Sequence, residues 1–383
     1  MARIPLKQIK TISVSSHINE TTVTDALENK ALPLSVTDDA PRVKDYQSGK
    51  KHLHISEKRG ELFHNCSSMH DDYICCNVKV LATVSNCPYE CSYCFLQNYL
   101  TDSTLSVVGD IKAMIDEIKE KIKHEPWRIY RIGTWELGDS LALEDIAGNT
   151  APLIKEVAQL NNVLLELRTK SNQVDALLDL DHKQRTVVSW TMNPQEVVKR
   201  EEYRTASVME RIAAMEKAVK AGYLIAIHFD PMIYYPDWKN GYTELLAQIF
   251  AVVPQEQLTW ISIGSLRFNP EMKKVMESNY PGSGATEAEM VLGNDGKVRY
   301  IKPLRIEMYQ FIYQLIREHA PEPFIYLCME RWDVWKKVMG WQPESTAHHD
   351  FLMSESLYKR FPQLQFTPPQ RADYEPDASQ QST

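Results

Sequence analysis

The chain has 383 residues, 43% of them hydrophobic and 25% charged, with a formal net charge of −8. That is enough apolar material to bury a large core without disulfide staples, either as two average domains or as one α/β barrel with extensions. The negative balance argues against a sequence-independent grip on nucleic acid, although a local basic groove remains compatible with it.

The first residues lack the apolar core of a signal peptide, and no run approaches the roughly 20 apolar residues that span a bilayer. A cytoplasmic protein with no membrane partner is therefore expected. Of the seven cysteines, Cys66, Cys75, Cys76, Cys87, Cys91 and Cys94 crowd into one stretch, with Cys328 far away. In a reducing compartment such crowding indicates metal or redox chemistry rather than bridges.

In chain order, residues 1–72 are polar and weakly periodic, predicting an irregular N-terminal extension. Asn77–Val84 places Val78, Val80, Ala82 and Val84 on one face, as a strand does. Ile111, Met114, Ile115, Ile118 and Ile122 recur at helical spacing over Ile111–His124. A strand at Arg128–Ile132, a helix at Ala151–Leu160 and strands at Val163–Arg168 and Thr186–Thr191 follow. Ser207 and Glu210 form a capping box for a helix that ends near Gly222. Strands at Tyr223–Phe229 and Leu258–Ile263 complete a set of six. Leu304–His319 then predicts a long helix, Phe324–Cys328 a further strand, and the segment from Pro368 a disordered tail. Strands separated by helices imply parallel βαβ units, wound as an open barrel or a doubly wound sheet, with chemistry at the carboxyl ends of the strands.

Directly after the first strand stands Cys87-Pro-Tyr-Glu-Cys91-Ser-Tyr-Cys94. This spacing lets one loop fold three thiolates around a cubane cluster and leaves one iron without a side chain. A structural zinc knuckle completed by His64, Cys66 or His70 is the bland alternative, but there is no second C-x-x-C to pair with it.

The C-x-x-x-C-x-x-C loop after the first strand of an α/β barrel resembles the radical S-adenosylmethionine (SAM) superfamily. From about residue 73 to 285 the chain resembles the spore photoproduct lyase family. The likeness is carried by CSYCFLQ, DSLALEDI, LRTKSNQVDALLDLDH, SWTMNPQEVV, TASVMERIAAMEKAVKAGY, DPMIYYPDWKNGY and LRFNPEMKKVME.

The resemblance implies a partial (β/α)6 TIM-like barrel over 73–300, an N-terminal extension over 1–72, a C-terminal α/β cap over 301–366 and a tail over 367–383. It implies a [4Fe–4S] cluster on Cys87, Cys91 and Cys94, cleavage of SAM to a 5′-deoxyadenosyl radical, a flavodoxin or ferredoxin as electron donor, and a photoproduct base in DNA as substrate. Gly133, Thr134 and Glu136 take the place of the SAM-amine turn, and Lys170, Thr191 and Asn193 match positions that hold SAM. Tyr93 and Glu136 are the catalytic candidates. Arg267, with Tyr234 and Tyr235 after the fifth strand, would meet substrate, and Lys273, Lys274, Lys297 and Arg299 form a candidate phosphate rim. His228, ahead of Asp230, reads as a buried, hydrogen-bonded histidine.

Two departures stand out. Where the family has a hydrogen-donating cysteine this chain has Glu136, and where it has a second tyrosine beside the last cluster cysteine this chain has Phe95. The C-terminal segment also reads as helix, strand and helix instead of the family's β-hairpin. These departures keep a second reading open, a radical SAM enzyme acting on something other than nucleic acid. A zinc-stabilised binding module is the non-enzymatic reading.

Overall fold

The computed structural model describes residues 8–18, 33–37, 42–57, 60–67 and 69–375. Seven parallel strands follow one another in order through a single sheet: β1 (Lys79–Leu81), β2 (Tyr130–Gly133), β3 (Val163–Thr169), β4 (Thr186–Thr191), β5 (Leu224–Met232), β6 (Leu258–Ser265) and β7 (Phe324–Leu327). The antiparallel strand Phe63–Asn65 pairs with β1 and closes that edge. The result is a curled half-barrel. β3, β4 and β6 are buried along almost their whole length, which is why they read as continuous apolar runs rather than alternating ones.

Helices cover the outside. Ile111–Ile122 starts at Asp110, whose carboxylate accepts the Ala113 N–H at 3.0 Å. It buries Ile111, Met114, Ile115 and Ile118, each contributing about 1.5–3 kcal/mol on transfer from water. The capping box at Ser207 and Glu210 forms as expected and opens the helix Val208–Lys220.

Several expectations are corrected. Residues 1–72 are not uniformly irregular: Thr11–Val14, Leu34–Val36 and His52–Ser56 form a parallel sheet, extended by Leu105–Val108 and Val84–Ser85. It has its own core of Ile12, Val14, Leu53, Ile55, Leu105 and Val107. The single strand expected at Asn77–Val84 is split, because the chain leaves the barrel after Leu81 and enters this second sheet at Val84. The strand Phe324–Leu327, assigned from sequence to a separate cap, joins the barrel sheet as its seventh parallel strand.

The rest of the C-terminal segment crosses the amino ends of the strands. Asp350 pairs there with Arg128 and, at 3.3 Å, with Arg131. Arg185 donates to the Leu364 carbonyl at 2.8 Å, and Arg360 to the Leu258 carbonyl at 2.9 Å. Part of the expected tail is ordered as well: Tyr374 is buried against Trp127, and its hydroxyl accepts the Ile129 N–H at 3.2 Å. Residues 376–383 lie outside the described residues. No described helix is long and apolar enough to cross a membrane.

Candidate active site

With the amino ends closed, the opposite end of the barrel holds a cavity of about 510 Å³. Every parallel strand contributes to its wall at or just beyond its carboxyl end. Cys87, Cys91 and Cys94 follow β1, Trp135 and Glu136 follow β2, and Arg168 and Lys170 end β3. Thr191 ends β4, Asp230 lies near the carboxyl end of β5, Arg267 follows β6 and Met329 follows β7.

The cysteine loop is braced on all sides. Glu90–Cys91 pairs antiparallel with Glu202–Tyr203. The Gln97 side-chain amide donates to the carbonyls of Ser92, Cys94 and Cys91 at 2.8, 3.1 and 3.3 Å. The Cys87 N–H is fixed at 2.8 Å to the side chain of Asn86, which adopts a left-handed φ of 66°. All three thiols are free. Burial pushes the Cys91 thiol up to about 12 against the pull of Lys170, and burial with nearby Asp139 raises Cys87 too. Thiols this poorly solvated ionise when a metal supplies the compensating charge. A lone zinc would need sulfurs about 3.8 Å apart, from tetrahedral geometry at Zn–S about 2.3 Å. Among the described residues no three His, Cys, Asp or Glu side chains gather closely enough to hold a single ion.

Below the loop lies a buried polar network. The Tyr93 hydroxyl donates to Glu202, which also receives Asn193 at 2.9 Å and Arg211 at 2.6 Å. Burial alone would raise the Glu202 carboxyl, but Arg211, Lys170 and these hydrogen bonds outweigh it and hold it at about 2. Lys170 Nζ stands 5.4 Å from the Tyr93 ring centroid. Its ammonium loses stability through burial, yet Cys91 and Glu202 more than restore it. Asp139 anchors the start of the Lys170 segment, accepting the Thr169 hydroxyl at 2.6 Å and the Lys170 N–H at 2.7 Å.

The sequence-derived candidates therefore divide. Cys87, Cys91, Cys94, Tyr93, Glu136, Lys170, Thr191 and Arg267 line one cavity. Glu136 accepts both the Ser67 N–H and its hydroxyl, at 2.7 and 2.6 Å. Arg267 is held by Asp230 at 2.8 and 3.1 Å and by the Cys328 sulfur at 3.2 Å.

Gly133, Thr134 and Asn193 stand behind the wall. A Cβ on Gly133 would collide with the Trp135 indole, so this glycine makes room for Trp135, over which Arg168 stacks at 3.6 Å. Thr134 donates to Ser140 at 2.7 Å. Asn193 is fully buried, held between Glu202 and the Tyr242 hydroxyl. Tyr234 and Tyr235 line a separate small pocket with Glu196 and Arg200. Of the expected rim, Lys297 reaches the cavity, Lys273 and Lys274 are exposed on the helix Met272–Asn279, and Arg299 is buried against Asp295. His228 is buried and bonded to Glu166 at 2.6 Å.

Sequence reasoning missed Phe95 and Tyr99 as contact surfaces. They form an edge-to-face pair at 5.6 Å on the cavity mouth and are 46% and 58% exposed. Their spacing of four residues on a helical turn was the available signal.

Comparison with known proteins identifies the family of the chain. The family model for spore photoproduct lyase matches residues 14–327. The spore photoproduct lyase of Bacillus subtilis (strain 168) is 27% identical over 239 residues, covering 62% of this chain and 68% of that protein. The Clostridium acetobutylicum enzyme is 25% identical over 210 residues, covering 53% of this chain and 60% of its own length. In fold, a spore photoproduct lyase complexed with dinucleoside spore photoproduct superposes with a TM-score of 0.73 at 20% identity, over 83% of this chain and 98% of that one. A variant with bound AdoMet and the same dinucleoside gives the same values. The match runs from the first strand of the N-terminal sheet to the end of β7, and this chain belongs to the spore photoproduct lyase family.

Proposed function

We propose that this protein is a radical SAM enzyme that reverses a photoproduct in DNA, with Cys87, Cys91 and Cys94 holding a [4Fe–4S] cluster. The observation that carries this reading is the convergence of three free thiols and Lys170 on one cavity to which every parallel strand contributes. The donor set fits the cluster: three free thiols on one braced loop beside the cavity would bind three irons of a cubane.

When bound, cluster and SAM supply a one-electron cleavage that delivers a 5′-deoxyadenosyl radical to the substrate. The protein's residues set the stage for it. Lys170 offers its ammonium to the methionine carboxylate, and Glu136 offers a carboxylate to the methionine ammonium. Thr191 lies on the same wall. Tyr93, locked by Glu202, would shape part of the cavity wall that SAM meets. Arg267, fixed by Asp230, presents a rigid edge to substrate. Phe95 and Tyr99 offer faces on which a displaced base can stack, and Lys297 stands at the same mouth. A flavodoxin or ferredoxin supplies electrons, in the cytoplasm, where free thiols persist.

The test is anaerobic reconstitution with SAM, dithionite and ultraviolet-irradiated DNA. The expected result is a brown protein that forms 5′-deoxyadenosine and restores thymines, with Cys91→Ala abolishing the colour and the deoxyadenosine. SAM cleavage without loss of photoproduct would favour a non-nucleic-acid substrate, the reading that Glu136 and Phe95 kept open. A colourless protein that retains zinc would overturn both.

A further inference from the structure

The N-terminal sheet delivers a lysine to the back of the cysteine loop. Lys50 is fully buried, which is rare for an ammonium and costly unless it is compensated. Its Nζ donates to the Tyr46 hydroxyl at 2.7 Å and to the carbonyl of Tyr89. Neither acceptor carries a formal charge. Tyr89 stands midway between Cys87 and Cys91 and lines the cavity. Burial pulls the Lys50 ammonium down, and the groups that oppose this are Cys87, Cys94, Glu90 and Cys91. Glu90, and the loop cysteines once a metal ionises them, would supply the negative charge that this cation otherwise lacks.

The approach is built into the backbone. Asp45 caps the short helix Tyr46–Gly49 by accepting the Ser48 N–H at 2.7 Å. A Cβ on Gly49 would collide with the backbone of Ser103, so only glycine lets this helix lie flat against that segment. Ser103 in turn donates its N–H to the Val43 carbonyl at 2.7 Å and accepts the Asn86 amide at 2.6 Å, and Asn86 holds the Cys87 N–H. One continuous chain of contacts thus runs from the Lys50 segment to the first cluster cysteine.

We propose that Lys50 is an electrostatic positioning residue of the iron–sulfur site. Its buried cation offsets the negative charge gathered on the Cys87–Cys94 loop and raises the reduction potential of the cluster. The reasoning is that accepting an electron makes the cluster more negative, so a fixed positive charge nearby favours the reduced state. This inference rests on the cluster assignment above. It gives the N-terminal sheet a task in the chemistry although none of its own strands reaches the cavity wall.

The experiment compares wild type, Lys50→Met, Lys50→Gln and Lys50→Arg after anaerobic reconstitution, reading iron content and the midpoint potential by EPR-monitored titration. Lys50→Met and Lys50→Gln are expected to move the midpoint to more negative values, and Lys50→Arg to bring it back toward wild type. Lys50→Gln keeps a hydrogen-bond donor for the Tyr89 carbonyl and so separates charge from loop support. Coincident midpoints in wild type and Lys50→Gln at full iron content would reduce Lys50 to a structural prop and overturn the proposal. Should neither uncharged variant retain iron while Lys50→Arg does, the charge requirement stands. Iron lost from all three would point to packing alone and overturn it. A wild type without a cluster would instead sink the cluster assignment, and this role with it.

Discussion

Replacing Glu202 by Gln removes the anion at the centre of the network beneath the cysteine loop. Glu202 and Arg211 form an ion pair with both side chains fully shielded from solvent, so no screening discount applies. A carboxyl ordinarily near 4.5 is held at about 2, which at 1.36 kcal/mol per pH unit corresponds to about 3 kcal/mol. That agrees with the roughly 3–5 kcal/mol lost when one partner of a buried pair is removed. Unfolding entropy of about 2.1 cal/mol/K per residue over 383 residues gives about 0.8 kcal/mol/K, so the variant should melt about 4 °C lower at pH 7. Because the folded-state pKa is depressed, the stabilisation is complete above the ordinary carboxyl value and fades as pH falls from about 4.5 toward about 2. Thermal unfolding followed by circular dichroism at pH 7 and pH 3 should therefore show a gap between wild type and Glu202→Gln that narrows in acid. Melting points within about 1 °C of each other at pH 7, or a gap that does not change with pH, would refute this account of the pair.

Other consequences follow from the same geometry. Lys170→Met should weaken SAM binding by about 10- to 150-fold, the equivalent of a charge-assisted hydrogen bond of about 1.5–3 kcal/mol, measured by calorimetry on the reconstituted enzyme. Gly133→Ala should displace the Trp135 indole, costing about 1–3 kcal/mol by overpacking and shifting tryptophan fluorescence. Phe95→Ala with Tyr99→Ala should lower affinity for irradiated DNA by at least about 5-fold, from about 1–3 kcal/mol per stacked base, while leaving SAM binding unchanged. Equal affinity for the double variant and wild type in a gel shift would remove the aromatic pair from the substrate site.

What the sequence determined by itself was local. Three cysteines within eight residues stay on one loop whatever the rest of the chain does, so the candidate ligand set was legible from spacing. The parallel strands announce themselves as apolar runs because both faces are covered, and the capping box at Ser207 is a contact between near neighbours in sequence. Lys170 and Thr191 could be placed at strand ends for the same reason.

Tertiary structure decided everything that depends on distant segments meeting. The N-terminal strands have three to five residues each, too few to show a period, and they form only because neighbouring strands supply their hydrogen bonds. Asn193 and Lys170 look equivalent as polar residues at strand ends, yet one is consumed by Glu202 and Tyr242 while the other faces the cavity. Tyr234 and Tyr235 follow β5 as expected but turn to another pocket. Lys50 shows no motif at all. The fold brings its buried charge to the Tyr89 carbonyl, between Cys87 and Cys91, and such a meeting of distant segments is not encoded by spacing along the sequence.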